Sequence, residues 1–179
     1  MPAAAATGPA IRPIREDERT ELTRLVRANW GSSTVASRGA VHDVADLPCL
    51  LALEDERWLG VAAYRVEGDE CELVLLEAFE KVRGVGTALL AAMAEVARRS
   101  SCRRLWLITT NDNLDALRFY QRRGMRLVRI WPDATTAARQ TLKPEIPLVG
   151  DYGIALRDEL ELELLLADSA DAEGPEPAR

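Results

Sequence analysis

Two basic side chains and two glycines lie where an apolar strand passes into a helix, and this arrangement suits an anionic ligand. The apolar run 73–76 is followed by the hexapeptide KVRGVG at 81–86 and then by a helical pattern. The first N–H groups of a helix lack acceptors and favour negative charge, and glycines let a ligand approach the backbone. The sequence therefore predicts an anion-binding turn. It is not a nucleotide-binding P-loop, because no Gly-Lys-Ser/Thr follows at the right spacing. It is not a complete dinucleotide-binding turn either, because the third glycine of that motif is missing.

The charge distribution agrees with an anionic ligand. The formal net charge is −6, which argues against a general nucleic-acid-binding protein. Residues 81–129 nevertheless carry 11 basic and 3 acidic side chains, whereas residues 1–80 carry 8 and 15 and residues 151–179 carry 2 and 9. The central third is thus a basic segment in an acidic chain. Solvated arginines on helix faces are the alternative interpretation.

Composition argues against several other classes of protein. The 179 residues correspond to one domain, since a domain takes roughly 150 residues. The longest uncharged stretches, 1–11 and 84–94, have eleven residues each, whereas a membrane-spanning helix needs about 20. Three scattered cysteines and one histidine disfavour a disulfide framework and a zinc site. We therefore expect a cytoplasmic protein with no metal, no secretory signal, and neither nucleic acid nor membrane as a partner.

Hydrophobic periodicity places the anion-binding turn in a mixed α/β fold. Three strands form an antiparallel meander before the turn, and helices then alternate with strands in a β-α-β-α-β series. This order predicts a single α/β domain with one mixed sheet, in which residues 32–46 are an ambiguous loop or short helix. The predicted strands lie at 11–14, 49–53, 58–66, 71–76, 105–108, 125–131 and 157–166, and the predicted helices follow Glu16 or Asp17 up to Gly31 and span 84–99 and 114–123.

Composition predicts disorder at the two ends of the chain, and the alternation of charged and apolar residues predicts its last strand. Residues 1–9 and the acidic tail 168–179 are expected to be disordered, which leaves a folded domain at 10–167. Residues 132–153 are expected to hold one short helix and a loop. Glutamate and leucine alternate from 159 to 164, which predicts a half-exposed strand.

A second segment, 109–125, lies one helix and one strand after the anion-binding turn. Together the two segments resemble the GNAT family of N-acetyltransferases. The family's first signature is Gln/Arg-x-x-Gly-x-Gly/Ala at a strand-to-helix turn, and here Lys81 stands at the Gln/Arg position. The resemblance covers 11–131 well and the last strand loosely. The second signature, which ends in Gly-Phe in the family and has Met in place of Phe here, is represented by Asn113, Ala116, Phe119, Tyr120, Gly124 and Met125.

The resemblance implies acetyl-CoA as co-substrate, bound beside the strand 71–78 where it separates from its neighbour. It implies that N–H groups near 76–79 bind the pantetheine and acetyl oxygen, and that those of 82–87 bind the pyrophosphate. An arginine among 118, 122 and 123 would contact the 3′-phosphate. The predicted cofactor-binding residues are Leu76, Glu77, Ala78, Phe79, Lys81, Val82, Arg83, Gly84, Val85, Gly86, Thr87, Asn113, Ala116, Phe119, Tyr120 and Arg122.

Catalytic roles follow partly from the resemblance and partly from the residues. Tyr120 matches the position at which many family members carry the general acid that protonates the leaving thiolate, although a packed core tyrosine is the alternative. Asn113 matches a cofactor-bonding position, and it also suits an ordinary helix N-cap. Glu72 is a candidate general base because a carboxylate within a central strand is costly unless used or paired. Glu77 is the second candidate, since it lies nearer the acetyl site. Cys71 is expected to be an inert buried thiol.

The resulting prediction is an acyl-CoA-dependent N-acyltransferase that transfers acetyl to a primary amine by direct attack in a ternary complex. The acceptor is a small-molecule or peptide amine, and acidic flanking segments favour a cationic one. Residues 132–153 are expected to cover its pocket. One alternative is a non-catalytic acyl-CoA-binding sensor of the same fold. Another is an interaction domain that forms homodimers through the strand around 160–164.

Overall fold

A seven-stranded mixed sheet runs through the middle of the protein in the computed structural model, which describes residues 8–79 and 84–166. Most of both predicted disordered ends lies outside the described residues. The strands are β1 (Ala10–Pro13), β2 (Thr34–Ser37), β3 (Ala40–Asp43), β4 (Cys49–Glu54), β5 (Arg57–Glu67), β6 (Glu70–Ala78), β7 (Arg104–Thr110), β8 (Arg126–Trp131) and β9 (Glu159–Leu165), and the helices are α1 (Arg19–Trp30), α2 (Val85–Arg99), α3 (Leu114–Gln121) and α4 (Ala134–Thr141).

The sheet has the strand order β1-β4-β5-β6-β7-β9-β8, while β2 and β3 form a separate hairpin. The expected mixed sheet, with β4-β5-β6 as an antiparallel meander and β6 parallel to β7, is confirmed. Helix α1 ends at Gly31 as predicted, and a short helix, α4, lies within 132–153. Helices α2 and α3 begin within one residue of their expected starts.

Helices cover both faces of the sheet because their apolar residues fall on single stripes. Leu89 and Met93 of α2 are fully buried in a core that α2 and α3 form against one face. Leu22 and Val26 of α1 are fully buried in a second core on the opposite face. The two residues of each pair are four positions apart, which puts them on the same side of their helix. Below, the two sides are called the α2 face and the α1 face.

Strands β6 and β7 are paired for only three residues and then separate. Their parallel register runs from Glu70 opposite Arg104 to Glu72 opposite Trp106. Just beyond, the register between β6 and β5 shifts by one residue, so that Val74 is an extra residue in β6. Such a bulge bends a strand and increases its twist. Among the described residues, the β7-facing edge of β6 beyond Glu72 therefore has no strand partner.

The prediction of a half-exposed C-terminal strand is wrong. Strand β9 lies between β7 and β8 and is paired along both edges. Leu162 and Leu164 face the core of the α2 face, and Leu162 is fully buried. The glutamates of β9 point to the α1 face, where Glu159 and Glu161 are also buried. Because β9 has no free edge, dimerisation by pairing through this strand is wrong as well.

Arg104 explains how two of these glutamates are accommodated. Its guanidinium bonds Glu70 on β6 at 2.8 Å, and Glu161 and Glu163 on β9 at 2.9 and 3.1 Å. Hydrogen bonding to Glu70 is the largest cause that raises the pKa of Arg104. Buried carboxylates are tolerated when they are paired and hydrogen-bonded. One side chain thus joins β6, β7 and β9 at the closed end of the gap.

In the segment 32–46, which the sequence left ambiguous, residues 34–43 form a β-hairpin and residues 44–46 form a short 3₁₀ helix. Ser37 pairs with Ala40, and the two turn residues, Arg38 and Gly39, both have positive φ, at 49° and 77°. This is the geometry of a tight hairpin turn, for which Asn-Gly or Asp-Gly is the usual sequence. The Arg38 guanidinium lies 4.9 Å from the Trp106 ring and 5.1 Å from the Trp131 ring. These contacts hold the hairpin tip against the sheet.

We expect Arg104→Leu to lower the free energy of unfolding by about 3 kcal/mol, because it leaves buried carboxylates without a cation. Arg103→Leu is the matched control. The Arg103 side chain is 70% exposed and pairs with Asp69 at the surface, so its loss costs much less. Urea unfolding of both variants at neutral pH measures the difference. Equal losses would show that Arg104 is not the residue that joins these strands.

Candidate active site

A groove of about 480 Å³ lies on the α2 face, beside the unpaired part of β6. Strand β6 forms its floor at one end, and the start of α2 and one side of α3 form its walls. We call it the α2–α3 groove. It is lined by Leu76, Ala78, Gly84, Gly86, Thr87, Asp115, Ala116, Phe119, Tyr120 and Arg123.

The start of α2 is open towards this groove. Gly84 is the N-cap in the left-handed region, with φ of 94°, and no side chain caps the helix. A Cβ on Gly84 would meet no atom of the described residues within 4 Å. At Gly86 a Cβ would come within 3.1 Å of the Phe119 ring, so glycine lets α2 approach α3 closely. The first N–H groups of α2 are therefore accessible to an anion.

Arginines carry positive charge into the outer part of the groove. The Arg123 side chain donates to Thr87 Oγ1 at 2.6 and 2.9 Å and lies 3.7 Å from the centre of the Phe119 ring. The groove continues into a space of about 690 Å³ that Arg118 and Arg122 also line. Asp115, the acid in this region, accepts hydrogen bonds from Arg118 and the Tyr152 hydroxyl. Positive charge therefore predominates at the outer end.

Tyr120 lies at the inner part of the groove, where it is 8% exposed. Its ring contacts Phe119 edge-on with centroids 5.1 Å apart. Burial raises the pKa of its phenol well above the ordinary value. The hydroxyl therefore keeps its proton at neutral pH and can donate it.

Glu77 lies on β6 but contacts α1. Its Oε1 accepts a 2.7 Å hydrogen bond from the Asn29 side chain, and its Oε2 is buried without a partner among the described residues. Burial raises the pKa of Glu77, while the Asn29 hydrogen bond and the nearby Trp30 side chain oppose the rise. The structure thus places Glu77 on the α1 face rather than in the α2–α3 groove.

Glu72 lies in a different cavity, of about 310 Å³, near the closed end of the β6–β7 gap. The Ser37 hydroxyl donates to its Oε1 at 2.5 Å, and Arg65 lies 3.3 Å from its Oε2. Both carboxylate oxygens are thus occupied. The structure brings Glu72 together with the β2–β3 hairpin and not with Tyr120.

The other predicted residues are distributed as follows. Val85 is fully buried, and Phe79 packs against the core of the α1 face and donates its N–H to Leu59. Asn113 caps α3 by accepting the Ala116 N–H at 3.1 Å. The Cys71 thiol is buried, and burial raises its pKa to about 12. Three predicted residues lie outside the described residues: Lys81, Val82 and Arg83.

A third cavity, of about 290 Å³, lies on the α1 face where β6 and β7 separate. We call it the α1-face cavity. Trp30 of α1, Val35 of β2 and Ala138 of α4 contribute to its walls, and Glu159 is the one acid among its described lining residues. Burial raises the pKa of Glu159 and the charge of Glu72 adds to the rise, whereas a hydrogen bond from the Arg38 backbone and the charge of the Arg38 side chain oppose it.

Sequence reasoning missed some of these residues. Glu159 was assigned to an exposed strand face, because leucine and glutamate alternate there. Thr135 and Asp115 stand in segments without a distinguishing pattern. Arg123 was predicted only as one of three arginines that could contact the 3′-phosphate, because it stands beside Arg122 in a basic run. Within residues 8–79 and 84–166, no helix combines the length and apolarity of a membrane span, and no group of three or more potential ligand side chains could hold a metal.

Comparison with solved structures shows a shared fold. An "IAA acetyltransferase" of Bacillus cereus matches with a TM-score of 0.66 at 19% identity, over 88% of this chain and 99% of that one. A Bacillus subtilis acetyltransferase solved in complex with CoA matches with a TM-score of 0.65 at 20% identity, over 89% and 99%. A GNAT family acetyltransferase of Elizabethkingia anophelis with acetyl-CoA bound matches with a TM-score of 0.63 at 17% identity, over 89% of this chain and 99% of that one.

Sequence comparison gives nearer relatives. The uncharacterized protein YdhI of Bacillus subtilis is 37% identical over 151 residues, covering 84% of this chain and 94% of YdhI. The uncharacterized protein YxbD of the same organism is 40% identical over 153 residues, covering 85% and 96%. Residues 11–125 match the family model described as the acetyltransferase (GNAT) family. The chain therefore belongs to the GNAT family of acetyltransferases, as its two sequence segments predicted.

Proposed function

We propose that the protein is an N-acetyltransferase that transfers the acetyl group of acetyl-CoA to a primary amine by direct attack within a ternary complex. The observation that carries this proposal is the gap between β6 and β7, which has the α2–α3 groove on one face and the α1-face cavity on the other. Two co-substrates can thus approach the same unpaired stretch of β6 from opposite sides. Family membership and the solved relatives that hold CoA or acetyl-CoA support it.

The α2–α3 groove fits acetyl-CoA, which supplies an activated thioester and several phosphate charges. The open N-terminus of α2 would bind the pyrophosphate through its free N–H groups. Arg118, Arg122 and Arg123 would contact the outer phosphate. The unpaired edge of β6 near Leu76 offers backbone groups to the pantetheine amides.

We expect Gly84→Glu to weaken acetyl-CoA binding at least about tenfold, since a carboxylate would stand where the helix N-terminus favours the ligand's negative charge. Calorimetry measures the dissociation constant. Gly84→Ala separates backbone strain from charge. Gly68→Glu is the matched control, because Gly68 also has positive φ and open space around it but lies in the β5–β6 turn. The groove assignment fails if wild type does not bind or if both glutamate variants bind equally.

Tyr120 is the general acid of the proposed reaction. Its phenol lines the inner groove and keeps its proton at neutral pH. As the C–N bond forms and the C–S bond breaks, the sulfur takes up a proton, which the phenol donates. Backbone N–H groups at the β6 edge would stabilise the developing oxyanion. Much of the rate would come from holding both substrates in line.

Tyr120→Phe is expected to lower kcat about 100-fold, because general acid catalysis contributes at least that much. Affinity for acetyl-CoA should change little, since the ring remains. Tyr64→Phe is the control, because Tyr64 packs against the same core without lining the groove. Thiol release and mass detection of the acetylated amine measure turnover. Acetyl-CoA binding without turnover in wild type would favour the non-catalytic sensor.

Glu77 is the better supported of the two candidate bases. The general base must accept a proton from the incoming ammonium group, and Glu77 has one oxygen free of hydrogen bonds among the described residues. It also contacts Trp30, which lines the α1-face cavity. Glu72 has both oxygens occupied by Ser37 and Arg65.

The pH dependence of kcat/KM tests this choice. A base must be deprotonated to act, and burial raises the pKa of Glu77 above the usual 4.5. Activity is therefore expected to fall as the pH decreases towards that raised pKa, and Glu77→Gln should remove this acid limb and lower kcat about 100-fold. In Glu72→Gln the acid limb of the kcat/KM profile should remain. If instead Glu72→Gln removes it, the assignment of the base is reversed.

A further inference from the structure

The α1-face cavity is small and mostly apolar. Its volume of about 290 Å³ is just below the range of roughly 300–1,000 Å³ that small-molecule sites occupy. Trp30, Val35, Ile108 and Leu156 are among the apolar side chains that form its walls. Val74 lines it and stands two residues from Leu76 of the α2–α3 groove, a separation of about 7 Å along a strand.

Glu159 is the unusual group in this cavity. It is 3% exposed, and its Oε2 accepts the Arg38 N–H at 3.0 Å. Its neighbours on β9, Glu161 and Glu163, share the guanidinium of Arg104. Glu159 makes no ion pair with any described residue: the Arg38 guanidinium lies over two tryptophan rings and acts on Glu159 only from beyond ion-pair distance. A buried carboxylate without a cationic partner is costly, and a ligand cation would remove that cost.

Two further polar groups define what the cavity can accept. Thr135 is 3% exposed, and its hydroxyl has no hydrogen-bond partner among the described residues. Lys143 also lines the cavity, but its ammonium group already donates to the Thr34 carbonyl at 2.6 Å and lies 3.8 Å from Glu145. The cavity therefore offers the Glu159 carboxylate and the free Thr135 hydroxyl, while Thr34, Thr109, Thr110 and Asn113 add polar atoms to its otherwise apolar walls.

We propose that the α1-face cavity binds a compact primary amine with a largely apolar body, and that Glu159 forms an ion pair with its ammonium group. This inference rests on the proposed acetyltransferase function and specifies its acceptor class. The single carboxylate matches one positive charge, so a polyamine would leave its other charges in apolar surroundings. The apolar walls accommodate a hydrocarbon or aromatic body. The Thr135 hydroxyl accepts a second N–H of the same ammonium group.

The first experiment uses the wild-type protein saturated with CoA. Calorimetry compares phenethylamine with phenethyl alcohol, which has nearly the same shape but no charge. We expect the ammonium compound to bind at least about tenfold more tightly, since a desolvated carboxylate distinguishes the two. Equal affinities overturn the role of Glu159, and this holds whether or not any amine is acetylated.

The second experiment compares Glu159→Gln with the control Glu95→Gln on α2, where the Glu95 side chain is 55% exposed and pairs with Arg98 at the surface. The glutamine at 159 can still accept the Arg38 N–H, so the hairpin contact is kept. For phenethylamine we expect both the dissociation constant and the Michaelis constant to rise at least about 30-fold in Glu159→Gln, with acetyl-CoA binding unchanged. Glu95→Gln should stay within about twofold of wild type. Thermal unfolding checks that both variants fold, and the first experiment does not depend on them.

The outcomes separate this inference from the proposed function. Product formation with an unchanged Michaelis constant in Glu159→Gln overturns the role of Glu159 and leaves the acetyltransferase proposal intact. Amine binding that depends on Glu159 but yields no acetylated product supports the role of Glu159 and overturns the acetyltransferase proposal. A higher catalytic efficiency with spermidine or with a lysyl peptide than with phenethylamine overturns the compact apolar class of acceptor.

Discussion

The arrangement of the whole site depends on how far β6 and β7 stay together. Arg104 ties both strands to β9 through Glu70, Glu161 and Glu163, and this fixes the closed end of their gap. Beyond Glu72 the extra residue Val74 bends β6 away, while β7 remains fully paired with β9 on its other side. The gap is therefore a consequence of one multivalent ion pair and one bulge, both within the sheet.

The two faces of this gap are lined by different elements and therefore favour ligands of different charge. On the α2 face, a helix N-terminus and a run of arginines favour a ligand rich in negative charge. On the α1 face, apolar side chains surround a carboxylate that favours positive charge. Under the proposed function, the two co-substrates are thus distinguished by charge, and the reaction between them takes place at the strand that both sides share.

The sequence predicted the parts of the fold that local pattern determines. The spacing of Leu89 and Met93 predicted α2, and the glycines at 84 and 86 predicted an open turn before it. The position of β9 could not be predicted in this way, because the partner of Glu161 is Arg104, 57 residues earlier. Alternating glutamates indicate a solvated face unless a distant cation is known. The hairpin turn at Arg38 was missed because an arginine rarely adopts positive φ.

The β2–β3 hairpin has a consequence for how this protein can diversify. It is a ten-residue unit, from Thr34 to Asp43, that belongs to neither the sheet nor the helices of the α2 face. It nevertheless supplies part of the α1-face cavity wall and the N–H that holds Glu159. Changes in its length or tip would therefore alter the shape and polarity of one side of the gap while the other side stays constant. Under the proposed function, such a division allows the acceptor range to be redesigned by loop grafting without rebuilding the groove proposed for acetyl-CoA.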